Sequence, residues 1–186
     1  MSAENQHGRN AMSVKLFFIV LGAIAAYQLS TWMRGEPEWR ELLYEPGGFT
    51  VAVVGEPNRR ALNEEFAFGQ VEFKYLMFAR GEVQYAVAYG NLPAGIGADS
   101  AFAAAREALV IKVDGEVVEE RADSLGGMPA WRVQINASDG STLLLMSTWN
   151  NGVLYELMAG GQAEEMRDSA DLKHFFSSFQ LTSPMP

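Results

Sequence analysis

The sequence predicts an α+β protein: an antiparallel β-sheet flanked by helices, preceded by one N-terminal hydrophobic helix. Three observations carry this. Short strand-like segments follow one another in pairs, joined by turns of Gly, Asn and Pro, as antiparallel neighbours are. Each run of strands is followed by a single helical segment, whereas a parallel nucleotide-binding sheet alternates strand and helix. Finally, Leu16 to Met33 is eighteen residues without a charge, bounded by Lys15 and Arg34.

That uncharged stretch comes first in the chain. A spanning helix needs about twenty mostly apolar residues, with a range of about 17–25. A secretory signal needs a basic lead, about 7–15 apolar residues and small residues at the cut. Both templates fit, because Ala23-Ile24-Ala25 supplies a cleavage site and Met12 can serve as an alternative start. Apolar character continues to Leu29, and Trp32 stands where an interfacial aromatic anchors a span, which favours an uncleaved anchor. Arg9 and Lys15 precede the segment, while Arg34 and Arg40 on the far side are mixed with Glu36, Glu38, Glu41 and Glu45. This bias places residues 1–15 in the cytoplasm as a tail and 16–33 in the membrane. It puts the body outside, behind a linker at 34–38.

The body, residues 39–181 with a short tail at 182–186, is long enough to bury a core of its own. Within it, Trp39 to Pro57 reads as two short strands joined at Pro46-Gly47-Gly48. In "VEFKYLMFA", Val71, Phe73, Tyr75 and Met77 share one face, and Leu76 and Phe78 cover the other near the end. Arg80-Gly81-Glu82 turns this strand back into "VQYAVAYG", giving a hairpin. A loop, "NLPAGIGADS", offers Asp99 or Ser100 as a cap for an alanine-rich helix with Phe102, Ala105, Leu109 and Lys112 about a turn apart. The strand "GEVVEERA" is followed by Gly126-Gly127-Met128-Pro129 and by "AWRVQIN", with Trp131, Val133 and Ile135 on one face. Ser138-Asp139-Gly140 leads to "STLLLMSTW", and Asn150-Asn151-Gly152 to "VLYELMAG"; the Asn-Gly pair is the strongest hairpin signal in the chain. One closing helix is expected over "AEEMRDSADLKHFFSSF", stacking Leu172, Phe175, Phe176 and Phe179.

Taken in order, "W..L.YE.GGFTVAVVGEP", "YAVAYGNLP", the alanine-rich helix, "GGMPAWRVQI", "NGVLYELMAGG" and "FFSSFQL" resemble the PsbP-like and DcrB/LpqN-type envelope proteins over Trp39–Leu181. The resemblance implies an α/β/α sandwich around an antiparallel sheet. The family includes photosystem accessory proteins, bacterial envelope lipoproteins and a nuclear GTPase-binding protein, with no shared catalytic site, so it assigns no functional residue here. Many bacterial members carry a lipidated cysteine that this chain lacks, so a protein anchor would take its place. The usual "P-G-x-P" is Val54-Gly55-Glu56-Pro57.

Composition narrows the chemistry. There is no cysteine, which excludes disulfides, thiolate metal sites, thiol nucleophiles and lipid attachment. Of 14 basic and 23 acidic residues, three and one lie in the first 34, leaving an acidic body of 11 against 22. Such a body is unsuited to the phosphate backbone of nucleic acid, which demands basic patches, so no nucleic-acid partner is expected. "TVAVVGEPNRR" could open a nucleotide-binding fold, but Pro57 follows Gly55 where a phosphate cradle needs successive backbone N–H groups. Arg59-Arg60 then reads as a solvated turn. Glu64-Glu65 and Glu119-Glu120 are strand neighbours that point to opposite faces, so neither pair forms an acid/base couple. Glu164, Asp168 and Asp171 could share a helix face and hold a cation, although an acidic first turn explains them without one. His174 is the only histidine of the body and no G-x-S-x-G elbow exists, so it reads as a partly buried packing residue. Trp131, Trp149, Tyr85, Tyr89 and Tyr155 are core candidates, and any exposed one would be a partner anchor. Asn136-Ala137-Ser138 matches a glycosylation sequon that matters only in a eukaryotic secretory route.

The resulting expectation is a domain tethered to the inner membrane by a single pass. It is extracytoplasmic (periplasmic), non-catalytic and cofactor-free, and binds a protein partner or assists assembly of the envelope. Secretion after signal cleavage is the alternative localisation. A carrier or sensor for a lipid or cation is the alternative function, and a Ser/His174 hydrolase the remote one.

Overall fold

The computed structural model describes residues 38–182 apart from Asp168. The tail at 1–15, the predicted span at 16–33, most of the linker and residues 183–186 lie outside the described residues. Among those described, no helix is long and apolar enough to cross a membrane.

The strands are β1 (Trp39–Tyr44), β2 (Phe49–Val54), β3 (Asn58–Phe66), β4 (Gly69–Arg80), β5 (Val83–Asn91), β6 (Gly115–Leu125), β7 (Met128–Ala137), β8 (Ser141–Asn150), β9 (Val153–Gln162) and β10 (Gln180–Leu181). Helix α1 (Ala98–Val113) separates β5 from β6; α2 (Ala163–Met166) and α3 (Ala170–Ser177) lie between β9 and β10. Every pairing is antiparallel, in a seven-stranded sheet of order β3-β4-β5-β9-β8-β7-β6 and a three-stranded sheet of order β1-β2-β10. The expected α+β architecture is therefore present.

The layers follow from the two-residue period of a strand. On one face of the large sheet, Leu76 and Phe78 (β4), Tyr85 and Val87 (β5), Tyr155 and Leu157 (β9), and Leu144 and Met146 (β8) form one cluster with Phe49, Val51 and Val53 of β2. Met166, Leu172, Phe175, Phe176 and Phe179 complete it. Phe49 sits at its centre, 5.4 Å from the Phe179 ring and 6.2 Å from that of Tyr155. Such aromatic pairs bind beyond the area they bury. The other face is covered by α1, which buries Ala101, Ala105, Leu109 and Val113 and packs on β3, β6, β7 and β8.

The turn before β2 explains its two glycines. Glu45–Gly47 is a single 3-10 turn, closed by Gly48 at φ 65°, and a Cβ on Gly47 would collide with the Phe49 ring. The chain then enters the core at Phe49, which pairs with Tyr44 on one side and Leu181 on the other. The hairpin predicted at Asn150-Asn151-Gly152 forms with positive φ at both central residues, 49° and 84°, as a two-residue turn between twisted strands demands.

Four expectations are corrected. Arg59 and Arg60 belong not to a solvated turn but to β3, whose exposed edge hides the apolar alternation that marks a strand. The closing helix is two helices: Arg167 leaves α2 with extended backbone (ψ 124°), and Ser169 starts α3 by accepting the Leu172 N–H. A Ser that can cap competes locally with helix continuation. Helix α1 begins at Ala98 behind Gly97, with no side-chain cap from Asp99 or Ser100. Lastly, one face of the large sheet is covered by a second small sheet as well as by helices, because β1, β2 and β10 pair only with one another.

Phe175 is fully buried between Tyr85 and Phe78, whereas Ile111 on α1 is 67% exposed. Phe175→Ala is expected to cost about 3–5 kcal/mol in urea unfolding. Ile111→Ser is expected to stay within about 0.5 kcal/mol.

Candidate functional site

Two places gather polar side chains. The first is an open cleft of about 560 Å³ beside α3, lined by Trp39 and Glu41 of β1, Thr50 and Ala52 of β2, His174 and Ser178 among others. Trp39 Nε1 donates to Asp171 Oδ1 at 2.8 Å, and Arg80 Nε donates to Oδ2 at 2.8 Å. The Arg80 guanidinium also lies 5.8 Å from the Trp39 ring centroid. Burial pushes the Asp171 carboxyl up, but the two hydrogen bonds and the charges of Arg80 and His174 outweigh it and hold it below its ordinary value. His174 is exposed rather than partly buried, and its ring meets Trp39 edge-on with the ring centroids 5.2 Å apart.

Nothing in this cleft assembles a nucleophile. Ser178 Oγ donates to Phe175 O at 2.7 Å and accepts from Ala52 N at 2.8 Å, and Ser177 Oγ donates to His174 O. Both carboxylate oxygens of Asp171 are committed to Trp39 and Arg80. Asp171, His174 and Ser178 are thus engaged in holding α3 against β1, β2 and β4, and the Ser177 hydroxyl is engaged within α3 itself.

The second place lies under α1. Glu156 is in the middle of β9, directly across from Ala88 of β5 and Ser147 of β8, and is only 7% exposed. On the same face, Tyr75 of β4 donates its hydroxyl to Glu64 Oε1 at 2.8 Å, and Lys112 of α1 donates Nζ to Glu64 Oε2 at 2.8 Å. Burial raises Glu156 from an ordinary 4.5 to about 7, Lys112 opposes the shift, and Glu64 adds to it. The Tyr75 hydroxyl is pushed well above 10, first by burial and then by the Glu64 and Glu156 charges. One ammonium thus serves two carboxyl groups, of which Glu156 is buried and Glu64 reaches the edge of the sheet.

Sequence reasoning missed this cluster, although two signals were there. Glu156 is the one charged residue in "VLYELMAGGQ", and Lys112 falls on the apolar stripe of α1. Glu65, the neighbour of Glu64 in sequence, points away from it on β3 and gives no hint of the cluster. The other candidates are scattered. Glu120 accepts from Trp131 Nε1 at 2.6 Å and pairs with Arg106 at 2.9 Å. Tyr85, Tyr89 and Tyr155 are core residues, while Trp131 and Trp149 are half-buried. The Glu164, Asp168 and Asp171 set falls partly outside the described residues, and Asp171 is engaged as above. Among the described residues no three His, Asp or Glu side chains are placed to hold a metal ion. Gly55 turns the chain from β2 into β3, not into the helix start that a phosphate loop needs.

No protein-family model and no curated protein matches the sequence. Among solved structures, the solution structure of cyanobacterial PsbP (CyanoP) from Synechocystis sp. PCC 6803 is similar. It matches with a TM-score of 0.57 at 12% identity, over 80% of this chain and 95% of that one. The fold is PsbP-like.

Glu156 makes stability pH-dependent with a definite sign. Its folded value lies above its unfolded one, so the folded state holds a proton that the unfolded state releases between about 4.5 and about 7. Its contribution is full below that window and is lost as pH rises through it, a difference of about 3 kcal/mol. Glu156→Gln, neutral throughout, is therefore expected to gain on the wild type by about that amount between about pH 5 and about pH 8 in chemical unfolding.

Proposed function

We propose that the body is a non-catalytic, partner-binding domain of the extracytoplasmic side, held at the inner membrane by residues 16–33, and that it serves the assembly of an envelope or membrane complex. The carrying observation is the state of the α3 cleft: His174, Asp171, Ser177 and Ser178 are spent on packing and hydrogen bonds that fix α3. A side-chain set built to react keeps its nucleophile and base in contact with each other. The PsbP-like fold is in keeping with this reading, and a relation to the DcrB/LpqN-type envelope proteins is part of the proposal. The cleft is an open, polar-edged groove with Trp39 at its margin, a shape suited to a protein surface rather than to an enclosed small molecule.

The test combines size and contact. Protein from the membrane fraction is expected to keep the uncleaved mass, 20.4 kDa for this sequence. A photo-crosslinker at Glu41 or Gln180, on the cleft rim, is expected to yield one recurrent protein adduct, and the same probe at Glu107 on the outer side of α1 none. A shortened chain in the soluble fraction would remove the tether. Adducts that are absent, or equal at both positions, would remove the partner surface.

A further inference from the structure

We propose that Glu156 operates a pH-controlled seat for helix α1: when it is neutral, Lys112 pins the end of the helix to Glu64, and when it is charged, that end loosens from the sheet.

The geometry makes α1 the movable element. Each strand around Glu156 is bonded on both sides in the sheet, β9 between β5 and β8, β4 between β3 and β5. The helix has no such ladder. Its fully buried apolar seat is Ala101, Ala105, Leu109 and Val113, so the fully buried side chains of its first half are two methyl groups, beside a half-buried Phe102. The grip at its C-terminal end combines Leu109 and Val113 with the Lys112–Glu64 ion pair, both of whose side chains are less than one-fifth exposed. Among the described residues, the titratable or charged groups on this face near Glu156 are Glu64 from β3, Tyr75 from β4 and Lys112 from α1. Farther along the helix Arg106 of α1 pairs with Glu120 of β6 at 2.9 Å, so the middle of α1 has an ion pair of its own that Glu156 does not share. Strand β5 presents Ala88 and β8 presents Ser147, while Arg60, across from Tyr75, is exposed at the edge.

Charge bookkeeping then gives the direction. With Glu156 neutral, Lys112 and Glu64 cancel and the cluster carries no net charge. With Glu156 ionised, two carboxylates share one ammonium, and the added negative charge sits on a side chain only 7% exposed. Charge in such a place is expensive until water enters. Water can enter where the cover is a helix seated on side chains rather than a strand bonded to its neighbours. Titration of Glu156 about 7 places the change within the range a cell compartment spans.

Amide hydrogen exchange on the full chain, expressed as protection factors so that the intrinsic pH dependence cancels, reads this directly. Between about pH 5.5 and about pH 8.5, protection over Leu109–Val113 is expected to fall by about tenfold or more, while that of α3 holds. In Glu156→Gln the fall is expected to vanish. If that variant does not fold, Glu64→Gln decides: with the competing carboxylate gone, ionised Glu156 is balanced by Lys112, and protection of α1 is expected not to fall as pH rises. An unchanged α1, an equal loss in α1 and α3, or a fall that persists in the variant that folds would each overturn the proposal.

Discussion

The central strands β4, β5, β8 and β9 carry apolar side chains on both faces, so each face of the large sheet has to be covered, and the rest of the molecule is arranged around that need. Antiparallel sheets often leave one face to water and show it as alternation of apolar and polar residues. Here Phe73, Leu76 and Phe78 in one strand, and Leu154, Tyr155 and Leu157 in another, leave no wet side. Helix α1 closes one face. The other is closed by β2 with the aromatic residues of α3 and the segment after it, and Phe49 and Phe179 are the contact on which that layer rests.

Double coverage also decides what the polar groups do. At the margin of the small sheet, Asp171 keeps its charge because Trp39 and Arg80 both donate to it. Beneath α1, Glu156 has burial on every side and a half-share of one lysine, and its carboxyl moves the other way. The two residues are chemically alike, and their surroundings alone separate them. The first ties α3 to its sheet. The second leaves a proton-dependent contact beneath the largest helix of the body.

A chain can be similar to cyanobacterial PsbP in fold at 12% identity because little of the fold depends on particular side chains. It depends on alternation, on glycine turns at a few positions and on apolar volume in the layers, which many sequences satisfy. Polar contacts such as Trp39–Asp171 or Lys112–Glu64 are not required by that pattern. A shared fold therefore says nothing of a shared site, and the functional reading rests on the residues of this chain.

Most of the strands were legible because their hairpins carry their own chemistry: Gly47-Gly48, Arg80-Gly81-Glu82 and Asn151-Gly152 mark where the chain reverses, and the alternation between them marks the faces. Edge strand β3 was not, since a strand half exposed to water need not alternate visibly. Nor was the break between α2 and α3, where one Ser side chain chooses a cap over a continued helix. The site was the least legible part. His174 drew attention as the body's one histidine and proved to be an exposed ring against Trp39, whereas Glu156 and Lys112 looked ordinary. By itself the sequence determined the α+β class, the hairpin order and the acidic, cysteine-free chemistry, since these follow from local pattern and composition. Only the tertiary structure decided that Glu64, Tyr75, Lys112 and Glu156, drawn from four separate elements, would meet beneath one helix, because their meeting depends on strand register and on which face α1 covers.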